Sequence, residues 1–140
     1  DGKLWFAETL GKRIGQLDTG ETSPCSPDAT TLCLNGGRFQ LRTQFETPDG
    51  SGGDGRAVGL AGDSGYFTFF DPGNVEVVAK VLNGCAVNER YWVFAGGLTN
   101  VHVVLTVVDM RTGASKSYEN PLGIPFAPIQ DTNAFPACPE

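Results

Sequence analysis

Histidine occurs once in this chain, at position 102, and methionine once, at position 110; none of the four cysteines stands in a C-x-x-C pair. A protein zinc site draws on several His or Cys ligands at characteristic spacings, so no metal site and no cofactor is expected. Hydrophobic runs are short, and none approaches the roughly 20 residues that span a bilayer as a helix. No basic-then-apolar leader stands at the N-terminus, which fits a mature secreted form or a fragment. Basic clusters are missing too: ten Lys and Arg are scattered among sixteen Asp and Glu, for a formal charge of -6. Nucleic acid and anionic membrane are therefore poor partners. Apolar spacing of i, i+3, i+4, i+7 persists nowhere, so no helix beyond a turn or two is expected.

What is abundant is β signal, densest from Ser64 to Asp109. Gly65 to Phe70 is followed by the turn Asp71-Pro72-Gly73-Asn74 and then by Val75 to Leu82, both runs rich in aromatic and β-branched residues. That is a hairpin with its turn written in. Tyr91 to Phe94 and Val101 to Val108 follow, separated by Gly96-Gly97, which reads as a breaker. Earlier in the chain Phe39, Leu41, Thr43 and Phe45 alternate with Arg38, Gln40, Arg42, Gln44 and Glu46, the pattern of a strand with one wet face. Ala114 to Glu119 reads as a short polar strand beside the Val101 run. The prolines between Asn120 and Pro128 place that stretch on the surface, and Phe135 is placed to dock on the core. With 140 residues and 40% hydrophobic content, the fold class expected is all-β: an antiparallel, Ig-like β-sandwich of roughly seven to nine strands, with an N-terminal β-hairpin extension. Residues 1–22 form the extension and 23–140 the disulfide-stapled sandwich.

Four cysteines allow three connectivities. Cys25 and Cys33 close a short loop at the domain's entrance and are paired on that ground. Cys85, at the turn after a core strand, then holds the C-terminal tail through Cys138, a closure worth about 3 to 5 kcal/mol. Two disulfides point to an oxidising compartment, hence to an extracellular, secreted or cell-surface location.

Three local patterns invite chemistry. Gly62-Asp63-Ser64-Gly65 copies the nucleophile tetrapeptide of trypsin-like proteases, but no histidine precedes Ser64 to act as base, and Tyr66 stands where a further glycine belongs. A turn before the Tyr66 strand is the plainer reading. Pro48 to Gly55 looks like a calcium loop, yet Leu60 stands where an EF-hand needs its bidentate Glu. It reads as a hairpin tip between the Phe39 and Val58 strands. His102 falls on a polar face with Val104 and Thr106, where a lone histidine needs no function.

Residues 1 to 20 carry Asp1-Gly2-Lys3-Leu4-Trp5-Phe6-Ala7-Glu8 and then Ile14-Gly15-Gln16-Leu17. This resembles one repeat of the streptogramin B lyase (virginiamycin B lyase) type of β-propeller. The resemblance implies a metal-dependent lyase with Glu8 as a candidate acid, but a propeller needs about four to eight blades and the element occurs once. From residue 25 to 138 the segments C-L-N-x-x-R-F, D-S-G-Y-F-x-F-F-D-P-x-N-V-E and Y-W-V-F-x-x-G-L-T-N-V resemble an uncharacterised family of modules. These recur in secreted bacterial proteins, often behind propeller or protease domains, and the resemblance implies no activity.

The function expected is a non-enzymatic extracellular structural or interaction module. Leu4, Trp5, Phe6, Ile14 and Leu17 are too apolar to be left exposed together, so the N-terminal hairpin either folds back on its own sandwich or adds its strands to the sheet edge of a neighbouring copy; the second is the expectation, giving a homo-oligomer or a fibre. Two alternatives stand beside it. One is a C-terminal accessory domain of a larger secreted propeller protein. The other is a carbohydrate-binding module that uses Tyr66, Tyr91 and Trp92.

Overall fold

The computed structural model describes residues 24–136 and Cys138. The N-terminal extension, with Leu4, Trp5, Phe6, Glu8, Ile14 and Leu17, lies outside the described residues. The rest is an all-β sandwich of two antiparallel sheets.

Alternation writes the strands. They are β1 (Leu32–Leu34), β2 (Phe39–Glu46), β3 (Gly52–Asp54), β4 (Arg56–Ala61), β5 (Ser64–Thr68), β6 (Val75–Gly84), β7 (Arg90–Gly97), β8 (His102–Asp109), β9 (Ser115–Asn120) and β10 (Ile129–Phe135), with one helical turn, α1 (Cys85–Asn88), after β6. Ten strands among the described residues exceed the seven to nine expected; one of them, Gly52–Asp54, lies in the stretch read as a hairpin tip. In β6, Val77, Ala79 and Val81 point inward; in β8, Val103, Leu105 and Val107 do. Phe39, Leu41, Phe67 and Val93 complete a core in which each of these four side chains is fully buried. At about 1.5–3 kcal/mol for each large side chain removed from water, this shared interior is what holds the sheets face to face.

The first sheet runs β1-β2-β8-β9, with β3 sharing β2's outer edge with β1; the second runs β10-β7-β6-β5-β4. The molecule is Ig-like in having two antiparallel sheets packed on one core, and its strand order is distinguished by the β4-β5-β6-β7 meander within one sheet. The Val58 strand does not pair with the Phe39 strand as the sequence suggested. β3 pairs with β2, and the chain then crosses to the second sheet at Gly55, whose N–H donates to the Thr43 carbonyl at 2.9 Å. A side chain at Gly55 would collide with the Thr43 hydroxyl, so the corner turns only on glycine. Nor does Gly96-Gly97 break a strand: both residues lie in β7, opposite Val78 and Val77.

The two long sides of the sandwich are closed differently. On the β1–β4 side, main-chain bonds cross between sheets, from Ala57 N–H to the Ala29 carbonyl at 2.9 Å and from Asn35 N–H to the Gly62 carbonyl at 2.7 Å. On the β9–β10 side, side chains do it: Lys116 Nζ and the Tyr118 hydroxyl both donate to Asp131 Oδ2, at 3.0 and 2.7 Å.

Cys25 is joined to Cys33 and Cys85 to Cys138. A buried ion pair supports the same end of the fold. The Arg38 guanidinium forks onto Asp109, Nε at 3.1 Å and Nη2 at 2.9 Å, while stacking 4.5 Å from the centre of the Tyr91 ring. Burial pushes the Asp109 carboxyl up, but the bonds from Arg38 and from the Arg111 N–H outweigh it and hold the carboxyl below its usual range.

Candidate interaction surface

Register divides the molecule into two poles. Glu46 of β2 stands opposite His102 of β8, and Phe39 opposite Asp109; in the second sheet Thr68 stands opposite Val75, and Ser64 opposite Lys80. The connections 47–51, 69–74, 98–101 and 121–128 therefore gather at one pole. At the other lie the connections 35–38, 62–63 and 110–114 and helix α1. Both disulfides belong to this second pole's half of the fold. Cys25 donates its N–H to the Gly37 carbonyl at 2.8 Å, and Cys138 is tied to Cys85. The chain thus enters and leaves the described domain at one pole and displays four connections at the opposite, distal one.

The distal pole carries exposed apolar side chains. Phe70 is 58%, Leu98 81%, Leu122 46% and Ile124 50% exposed. Large aliphatics on loop tips cost solubility and are a recognised mark of a contact surface when they gather. The same pole carries exposed carboxylates, Glu46, Asp49, Asp54 and Asp71, against Arg56 as the one Lys or Arg among the described residues there.

These loops are fixed from below. Asn120 is buried, and its amide Nδ2 donates to the carbonyls of Ile124 at 2.8 Å and of Val101 and Pro121 at 3.3 Å. Gly123 N–H reaches the Asn100 carbonyl at 2.8 Å and Phe126 N–H the Thr99 carbonyl at 2.9 Å, so the two loops bearing Leu98, Leu122 and Ile124 are stitched into one unit. Leu98 N–H in turn donates to the Glu76 carbonyl. The Glu76 carboxyl is buried and accepts from Asn74 Nδ2 at 2.6 Å; burial pushes it up. Asp71 closes its own turn through the N–H groups of Gly73 and Asn74. On the first sheet's side, Phe45 stacks on Phe69 at 4.5 Å and meets Phe70 edge-on at 5.1 Å. Beside this stack a cleft of about 510 Å³ opens between Arg56, Val58, Phe70 and Pro72. Such pre-organised loops lose little conformational freedom on binding.

The residues singled out in the sequence fall elsewhere. Ser64 starts β5 in the second sheet, whereas His102 starts β8 in the first and bonds Glu119 Oε2 at 2.6 Å. Nucleophile and base are not brought together. The Pro48 loop spends its carboxylate on itself, Asp49 accepting from the Thr47 hydroxyl and the Ser51 N–H. Of the three aromatics considered for a glycan, Tyr91 is buried in the core under Arg38. Tyr66 and Trp92 lie on the outer face of the second sheet with Phe94, and the Trp92 indole rests over Gly84 and donates to Asn88 Oδ1 at 2.8 Å. Leu98, Leu122 and Ile124 were missed as site residues. The available signal was three large apolar residues in Pro- and Gly-rich stretches where a solvated loop would be polar.

Comparison of the chain with protein-family models, curated proteins and solved structures finds no match. No helix among the described residues is long and apolar enough to cross a membrane.

Proposed function

We propose that this protein is a non-enzymatic extracellular interaction module that self-associates, and that its residues 1–22 supply the adhesive segment. The observation that supports this most is the polarity of the domain. Its chain connections and disulfides occupy one pole, while the opposite pole offers rigid loops tipped with Phe70, Leu98, Leu122 and Ile124. Two disulfides suit an oxidising space outside the cell. The placement of Ser64 and His102 in separate sheets favours binding over hydrolysis.

Sedimentation of the full-length chain from micromolar to millimolar concentration tests the reading. Mass that rises with concentration is expected, unchanged in Ser64→Ala and His102→Ala. A strictly monomeric chain across that range overturns self-association, and an association lost in either variant overturns the absence of a role for those residues.

A further inference from the structure

We propose that the distal pole is the receptor for residues 10–17 of a second copy, so that molecules join head to tail. This rests on the self-association reading above and adds where the adhesive segment lands.

Three features choose this occupant. The first is chemical fit. Leu10-Gly11-Lys12-Arg13-Ile14-Gly15-Gln16-Leu17 carries two cations and no carboxylate between three aliphatics, the complement of a pole that displays the apolar tips Leu98, Leu122 and Ile124 together with the exposed carboxylates Glu46, Asp49, Asp54 and Asp71.

The second is reach. The described chain begins at Pro24, beside Gly37 at the opposite pole. Leu17 precedes Pro24 by seven residues, a span of at most about 25 Å when fully extended. The ten residues of β6 alone run about 33 Å from pole to pole. Leu17 therefore falls short of its own distal pole, and Ile14 reaches it only with the chain drawn straight. A neighbour's pole carries no such restriction.

The third is the state of the sheet edges, the other natural receptors for a strand. The β4 edge is bridged to the first sheet at Ala57 and Gly62, and the β9–β10 gap is spanned by Lys116, Tyr118 and Asp131. Strand addition at either side has to displace these bonds, whereas the distal loops are already open. A donor segment that joins the domain at one pole, through Pro24, and a receptor at the other make a heterologous contact, which propagates along a line unless it closes into a ring.

The test is complementation between two full-length variants, read by sedimentation. The donor variant is Lys12→Glu with Arg13→Glu; the receptor variant is Leu98→Ser with Leu122→Ser and Ile124→Ser, its three changes falling at exposed positions. Each alone should associate at least about tenfold more weakly than the parent chain. An equimolar mixture should form a dimer and stop there, because the receptor variant's donor segment fills the donor variant's pole and no further contact remains. If the parent associates and the receptor variant does so equally well, the receptor assignment is wrong while self-association stands. If both variants are monomeric and the mixture is too, head-to-tail pairing is wrong. If the parent is monomeric, both proposals fall.

Discussion

The ring of Phe126 occupies the space that a side chain at Gly97 would need: a Cβ built there would stand 2.5 Å from Phe126 Cγ and 2.8 Å from its Cβ. Phe126 is buried, and it anchors the loop that carries Leu122 and Ile124. Gly97→Ala is expected to cost about 1–3 kcal/mol through overpacking. It should also loosen the distal loop, so that hydrogen exchange at Gly123 and Phe126 accelerates more than at β8. Equal acceleration throughout would show that the latch is not local.

Acid should weaken the fold through Asp109. Its carboxyl lies below its usual range in the folded protein, so the stability it supplies is complete above the unfolded value of about 3.9 and is lost as pH falls through the lower folded value. At neutral pH, Asp109→Asn removes the buried carboxylate onto which the Arg38 guanidinium forks and should cost about 3–5 kcal/mol. The gap between parent and variant in denaturant titrations should narrow as pH drops below about 4. A gap that stays constant with pH would assign the stabilisation to packing instead.

The two disulfides should differ in worth. Cys85–Cys138 closes 53 residues and Cys25–Cys33 only 8. Chain-entropy arithmetic gives about 4 kcal/mol for the first and about 2.5 for the second. Paired Cys→Ala variants compared by chemical denaturation should keep that order, and peptide mapping without reduction should recover no Cys33–Cys85 linkage.

At the β9–β10 seam, Tyr118→Phe should cost more than Lys116→Met. Burial first, and then the bond to Asp131, push the Tyr118 hydroxyl well above its ordinary range, so it remains a donor throughout the working pH range. A hydrogen bond from a half-buried hydroxyl to a carboxylate is worth about 1.5–3 kcal/mol. The Lys116 side chain is 40% exposed, and an ion pair so wetted is worth about 1 kcal/mol or less. Reversal of the order in thermal denaturation would place the seam's strength in the ion pair.

Much of this fold is legible in the sequence because alternation is a local property. Phe39, Leu41 and Thr43 announce which face of β2 is dry, and Val77, Ala79 and Val81 do the same for β6. Sheet membership is not local. Nothing near Gly55 says that the strand before it pairs with β2 and the one after it with β5. Gly96-Gly97 misleads for a related reason, since the glycine that looks like a breaker is required by Phe126, 29 residues away from Gly97. The distal surface was legible only as a proline-rich surface run. Its meaning comes from the stitching of 98–101 to 121–128, which depends on which ends of β7, β8 and β9 meet.

The Cys85–Cys138 bond also decides how the domain bears load. A pull on the chain at Cys138 passes through the sulfurs to Cys85, directly after β6, and bypasses the edge strand β10. Peeling an edge strand breaks its hydrogen bonds one after another, as a zipper opens. β6 is hydrogen-bonded along both edges, to β5 and β7, so tension delivered there has to shear two ladders at once. The tail is thereby spared, and the centre of the second sheet becomes the load-bearing member.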